Sequence, residues 1–181
     1  MTTLAVFAST GAALAACPSQ TVSTPFSQFG DTNNYFLVPG GSFDGTSPWN
    51  LSNASLTSGG APAGSTSQSL TINAGGSATS QFICVDNTMP SFRFFANEAA
   101  SGSDLKIEGV VKTSWGSYTV PVADLADGSV GNAWAPVAPI SIGTAQIPVG
   151  TTVQAAVRFS VPQGSGSWQI DDVYVDPYRV G

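Results

Sequence analysis

Short apolar runs with turn residues between them are the feature of this 181-residue chain that most restricts its fold. No window shows the period of an amphipathic helix, and clusters of Gly, Pro, Asn and Ser separate the runs. This pattern predicts an all-β chain folded as a jelly-roll-like antiparallel β-sandwich. We expect strands at residues 35–38, 49–57, 68–72, 78–85, 91–96, 104–113, 117–122, 137–142, 152–161 and 167–175.

Side-chain alternation supports several of these strands. The runs 105–112 and 153–161 alternate apolar and polar residues, so each predicts a strand with one buried and one wetter face. The run 91–96 carries aromatic rings on both faces, which predicts a central strand. No internal repeat or long linker divides the chain, and residues 17–178 are predicted to form a single β-sandwich domain.

Two adjacent acids interrupt the apolar pattern of the last predicted strand. In a regular strand they point to opposite faces, Asp172 with Ile170 and Tyr174, and Asp171 with Val173 and Val175. Whichever face is buried, one aspartate is buried with it, and a buried carboxylate requires a cation. The candidates are Arg93, Arg158 or a metal ion.

Charge and composition exclude several functional classes. Only 9% of residues are charged, the net charge is −6, and five Lys and Arg residues cannot form a basic patch, so no nucleic-acid partner is expected. The chain has no His, which excludes a Ser-His-Asp triad, a Cys-His pair and a His-ligated zinc. The adjacent Asp171 and Asp172 do not suit glycosidase chemistry, because neighbours on a strand face opposite ways. We therefore expect a protein that is not an enzyme.

The N-terminus and the two cysteines indicate export. Residues 1–16 are apolar and uncharged and contain an Ala-Leu-Ala sequence, which predicts a signal-peptide remnant and a secreted or cell-surface protein. No other stretch is long and apolar enough for a transmembrane span. Cys17 and Cys84 are the only cysteines, and we expect a disulfide between them. The alternatives are two free thiols, or a lipid on Cys17, which would exclude the disulfide.

Two segments resemble the jelly-roll carbohydrate-binding modules that are attached to bacterial glycoside hydrolases. They are the Gly-Gly-Ser-Phe-Asp-Gly turn at residues 40–45 with the following Trp49, and the Ile-Asp-Asp-Val sequence at residues 170–173. The span from Cys17 to Tyr178 also resembles a group of secreted actinobacterial proteins of unassigned function. Because Trp49 and Trp168 lie within these motifs, we expect both in the core.

The resemblance to carbohydrate-binding modules also implies a structural calcium ion as a cofactor. In those modules an acidic residue after the early Phe and an aspartate of the last strand meet at a structural calcium ion, and the matching residues here are Asp44 with Asp171 or Asp172. The alternative for the buried aspartate is the ion pair with Arg93 or Arg158.

The same resemblance implies a non-catalytic domain that recognises a polysaccharide or a cell-envelope glycan. Sugar-binding surfaces stack aromatic rings on pyranose faces, and the expected ligand-binding residues are Trp115 and Tyr118, near a predicted hairpin turn, and Trp134, in a predicted loop. A second hypothesis is a structural or adhesive surface protein, in which residues 4–16 add as a strand to a neighbouring copy and cause self-association.

Overall fold

The computed structural model describes residues 17–62 and 67–177, and this part of the chain is an all-β structure with two single-turn 3-10 helices. The predicted signal remnant and the predicted strand at residues 4–16 lie outside the described residues. The strands are β1 (Val22–Ser23), β2 (Tyr35–Leu37), β3 (Asn50–Ser58), β4 (Gln68–Thr79), β5 (Ile83–Asp86), β6 (Ser91–Ala100), β7 (Leu105–Thr113), β8 (Gly116–Leu125), β9 (Ala135–Pro136), β10 (Ile140–Ser141), β11 (Thr152–Ser160) and β12 (Ser167–Val175).

The strands form two antiparallel layers. In the front sheet, β12 pairs with β6 on one edge and with β2 and the first half of β4 on the other, while β9 and β10 pair with the far edge of β6. In the back sheet, β11 lies between β7 on one edge and β5 and the end of β4 on the other, and β8 pairs with β7. This arrangement confirms the predicted all-β jelly-roll sandwich.

Strand β4 passes from one sheet to the other, which corrects the predicted separate strands at residues 68–72 and 78–85. Its first half pairs with β12 and its last three residues pair with β11. The bend lies at Gly75 and Gly76, and β3 bends with it at Asn53, which has φ of 45°. The glycines that looked like a turn in the sequence instead allow close contact, because a Cβ on Gly76 would lie 2.5 Å from the Asn53 carbonyl oxygen.

The main core fills the space between the sheets. Trp168 and Trp49 are buried there, as predicted, and both indole N–H groups have partners: Trp168 Nε1 donates to the Ser103 carbonyl at 2.8 Å and Trp49 Nε1 to the Pro39 carbonyl at 3.1 Å. Burying a Trp without such a partner would leave a desolvated donor. The two rings therefore bury apolar surface in the core without leaving an unpaired indole N–H group.

A second, smaller cluster covers part of the outer face of the front sheet. It consists of Phe26, Tyr35, Ala61 and Phe95, with Trp134 and Tyr174 packed against it. Phe94 faces the main core and Phe95 faces this outer cluster, so β6 is a central strand with aromatic rings on both sides, as predicted. This cluster therefore covers one end of the outer face of the front sheet, and the other end of that face is not covered by it.

The disulfide between Cys17 and Cys84 is present, with Cα atoms 5.3 Å apart, and it ties the start of the described chain to β5. This confirms the predicted pairing, and the thiol of Cys17 is therefore not available for a lipid. The two cysteines are 67 residues apart in the sequence. On the loop-entropy model, closing a loop of this length restricts the unfolded chain and so stabilises the folded protein.

Reduction of this disulfide should lower the free energy of unfolding by roughly 4 kcal/mol on the loop-entropy model. Thermal melts with and without reductant measure the effect, and the oxidised protein should have a mass about 2 Da below the reduced value. The double variant Cys17→Ser, Cys84→Ser serves as the control, because its melting temperature should not respond to reductant. Two titratable thiols in the exported protein would contradict the prediction.

Candidate functional site

A bulge in β12 accompanies the burial of two consecutive aspartates. The register of β12 against β6 shifts between Asp171 and Tyr174, and Asp172 has φ of 51°. The extra residue restarts the alternation, so that Ile170 and Val173 both face the main core. The predicted alternation through Asp172 is therefore wrong, and both aspartates are buried, Asp171 at 1% exposure and Asp172 at 2%.

Asp171 is held by backbone hydrogen bonds, and both buried aspartates have raised pKa values. Asp171 accepts hydrogen bonds from the backbone N–H groups of Ala61 and Asp172, both at 2.8 Å. Burial raises the pKa of Asp171 to about 7, and the nearby charges of Asp172 and Asp44 also favour the protonated form. Burial followed by the charge of Asp44 raises the pKa of Asp172 to about 6. The three predicted metal-site residues are thus electrostatic neighbours.

Neither arginine neutralises these aspartates. Arg93 Nη1 lies 2.5 Å from Asp31 Oδ2 and Arg158 Nη1 lies 2.8 Å from Glu108 Oε2. The predicted ion pair with Arg93 or Arg158 is therefore wrong. Among residues 17–62 and 67–177, no ion pair contains Asp171 or Asp172. Because neither buried carboxylate has a cationic partner among these residues, a bound proton or a metal ion is a way to neutralise it.

Asp44, Asp171 and Asp172 carry carboxylate oxygens, which are one of the ligand types that calcium takes. Asp44 Oδ1 already accepts the backbone N–H groups of Ser67 at 3.2 Å and Gln68 at 3.3 Å, which fixes its orientation. Within the described part of the chain, no group of three or more Asp, Glu, His or Cys residues is placed to hold a metal ion, so Asp44, Asp171 and Asp172 do not form such a group in this structure. Calcium therefore requires ligands besides these carboxylates, such as backbone carbonyls or water.

A row of polar side chains crosses the open part of the front sheet's outer face. The strand registers align Ser55 of β3 with Thr71 of β4, Thr71 with Gln169 of β12, and Gln169 with Asn97 of β6. We call these four residues the polar row. The alternation that puts Trp168 and Ile170 into the core puts Gln169 outside, and Thr71 lies between the core residues Leu70 and Ile72 for the same reason.

Hydrogen bonds join the members of the row. Asn97 Nδ2 donates to Gln169 Oε1 at 3.2 Å, and Gln169 Nε2 donates to Thr71 Oγ1 at 3.4 Å. The Thr71 hydroxyl is also 2.8 Å from the hydroxyl of Thr57, the next outward residue of β3. Asn97 Oδ1 is buried and has no hydrogen-bond partner among the described residues.

Trp134 lies at the β6 end of the polar row. It immediately precedes β9, whose Ala135 pairs with Ala96, so the backbone of Trp134 is level with Asn97. The ring is half-buried and packs against the outer cluster. With strands about 4.8 Å apart, the distance from Ser55 across the sheet to Trp134 is about 19 Å. The row itself contains no charged side chain.

Trp115 and Tyr118 are not part of this surface. Trp115 is at the tip of the β7–β8 hairpin and is 96% exposed, and Tyr118 is 53% exposed on β8. Tyr118 pairs with Val111 of the back sheet, whereas Trp134 packs on the outer face of the front sheet. The three aromatic residues selected from the sequence therefore lie on at least two different surfaces.

The fold is similar to solved structures of carbohydrate-binding modules, although sequence comparisons find no match. No protein-family model and no curated protein sequence matches the chain. The xylan-binding CBM22-1 domain of Paenibacillus barcinonensis Xyn10C is 15% identical, with a TM-score of 0.54 over 77% of this chain and 93% of that one. The C-terminal family 22 carbohydrate-binding module of Clostridium thermocellum Xyn10B is 16% identical, with a TM-score of 0.52 over 77% of this chain and 92% of that one.

A similar fold also occurs within a larger protein. The enzymatically active domain of tailspike protein 4 of bacteriophage CBA120 is 19% identical, with a TM-score of 0.51 over 75% of this chain and 20% of that one. At these identities the comparisons show the fold and not the activity. The chain has the antiparallel jelly-roll fold of carbohydrate-binding modules.

Proposed function

We propose that this chain is a non-catalytic domain that binds an extended polysaccharide or cell-envelope glycan across the outer face of its front sheet. The polar row with Trp134 at its end is the observation that carries the proposal. Amides and hydroxyls at strand spacing supply hydrogen bonds for sugar hydroxyls, and the half-buried indole of Trp134 supplies an aromatic ring for stacking on a sugar ring. The absence of charge in the row favours a neutral glycan.

Two further observations support this assignment. The solved structures with the same fold include modules described as xylan-binding. The disulfide is of the type found in oxidising compartments, where an exported glycan-binding protein would act. We therefore propose a secreted or cell-surface location. Trp115, which is fully available at the hairpin tip, is proposed as a separate contact with a polymeric ligand.

Retardation in native gels that contain β-glucan, xylan, mannan or soluble peptidoglycan tests this function. We expect retardation by at least one neutral polysaccharide, and loss of an aromatic ring or an amide on this face should weaken the binding. Trp134→Ala should weaken it by roughly 30-fold, which corresponds to about 2 kcal/mol for an aromatic anchor.

Because Trp134 also packs on the outer cluster, Gln169→Ala provides a second variant with little effect on folding. It should weaken binding by about 1 kcal/mol, the usual net contribution of a hydrogen bond. Asp124→Asn is the control, since this exposed residue on β8 lies in the back sheet. Failure of every polysaccharide to retard the wild-type protein would refute the proposed function.

We also propose that calcium binds at Asp44, Asp171 and Asp172 in a structural role. A chelator should lower the melting temperature, and added calcium should restore it by mass action. Asp44→Asn should weaken that response, because it removes one of the three carboxylates proposed as ligands, whose charge already acts on Asp171 and Asp172. A melting curve that is identical with chelator and with calcium would exclude the ion.

A further inference from the structure

A cleft with a volume of about 380 Å³ opens between the two sheets, on the side where the β7–β8 hairpin lies. It is distinct from the polar row, which lies on the outer face of the front sheet. Its lining is mainly aliphatic and comes from three directions: Val173 and Val175 of the front sheet, Val111 and Val153 of the back sheet, and Ile142 and Ile147 beside the 3-10 turn at Thr144–Gln146.

The polar groups inside this cleft are already paired within the protein. Ser80 Oγ donates to the Gln81 carbonyl at 2.9 Å and accepts the Val157 N–H at 3.0 Å. Thr144 donates its hydroxyl hydrogen to the Met89 carbonyl, and Glu108 accepts from Arg158. A sugar ring in this space would lose its hydrogen bonds to water without replacement, which is unfavourable. The cleft therefore selects against sugars.

The apolar lining favours a hydrocarbon. Val111, Val153, Ile142 and Ile147 are only half-buried, so a ligand that covers them removes apolar surface from water. The volume is within the range of ordinary small-molecule sites. Among residues 17–62 and 67–177, no Lys or Arg lines the cleft, while Glu108 does. A ligand with an anionic head therefore finds no opposite charge there.

We propose that this inter-sheet cleft binds the hydrocarbon tail of a single-chain amphiphile with a neutral or zwitterionic head. The tail lies between the valines of the two sheets. The head remains at the mouth, where Tyr118 and Gln146 line the cleft and are both exposed. This site would let the protein contact a lipid component through one surface and a glycan through the other.

The test is a titration of the full chain with dodecylphosphocholine below its micellar concentration, followed by methyl NMR. We expect saturable shifts of the methyl groups of Val111, Val153, Ile142 and Ile147, and none with phosphocholine alone. Ala155→Phe, which fills the cleft from β11, should weaken binding at least tenfold. Val153→Ser is a milder second variant and should weaken it severalfold.

Gln169→Ala is the matched control, because it alters the polar row and leaves the cleft unchanged; its affinity for the amphiphile should equal that of the wild type. Circular dichroism establishes that each variant is folded. Absence of saturable shifts at the cleft, shifts confined to the exposed hairpin at Trp115, or undiminished binding by folded Ala155→Phe and Val153→Ser would each overturn the proposal. Loss of glycan binding alone would not affect it.

Discussion

Asp172→Asn should raise the melting temperature of the metal-free protein at pH 7.5 and make its stability less dependent on pH. The pKa values of Asp171 and Asp172 are raised to about 7 and about 6 from the ordinary value of 3.8. Between about pH 4 and pH 7, the folded protein therefore holds more protons than the unfolded chain, and its stability falls as pH rises. Asp172→Asn removes the free-energy cost of burying the Asp172 anion. It also lowers the pKa of Asp171, because the charge of Asp172 raises that pKa.

Asn suits this position because it tolerates the left-handed backbone conformation that Asp172 adopts. We expect metal-free wild type to be more stable at pH 5 than at pH 7.5, with a difference of a few kcal/mol, and Asp172→Asn to reduce that difference. Thermal melts in chelator across this pH range measure it, with Asp124→Asn as an exposed control. If wild type became more stable as pH rose from 5 to 7.5, the charged state of the buried pair would have been misassigned.

Gly76→Ala should destabilise the protein by about 3 kcal/mol or more, as expected when overpacking forces the backbone to shift. The added Cβ would lie 2.5 Å from the Asn53 carbonyl oxygen and 2.7 Å from that of Asn73, where β3 and β4 bend together between the sheets. Neither carbonyl is a flexible side-chain end, so relief requires movement of the paired strands. Urea unfolding at constant pH measures the loss.

Gly128→Ala separates this steric effect from simple loss of glycine. Gly128 has φ of 76° and open space around its Cβ position, so its substitution should cost only about 1–2 kcal/mol of backbone strain. Equal losses for the two variants would indicate that the close contact at Gly76 is absent in solution.

The fold class could be predicted because local alternation carries it. Strands such as β7 and β11 alternate apolar and polar residues along their own sequences. Their buried faces could therefore be identified without knowing which strands they pair with. The errors in β4 and β12 arise where this period is interrupted. In β4, Gly75 and Gly76 resembled a turn, although they mark a bend inside one strand. In β12, the bulge at Asp172 changed which side chains share a face.

The polar row could not be assembled from the sequence, because its members come from four strands between residues 55 and 169. Each outward position was visible as a polar residue between core residues, as with Gln169 between Trp168 and Ile170. Their alignment depends on the pairing register, which no local pattern contains. Trp134 could be selected as an aromatic residue in a loop, but its position beside Asn97 follows only from the pairing of β9 with β6.

The most direct test of the central claim is to map the contact surface of a soluble neutral oligosaccharide that the gel assay has identified. Amide and side-chain NMR shifts on titration should concentrate at Thr71, Asn97, Gln169 and the Trp134 indole, with the Asn97 and Gln169 side-chain amides shifting together. Shifts centred on Trp115 and Tyr118, with the polar row unchanged, would contradict the assignment of this face as the glycan-binding surface.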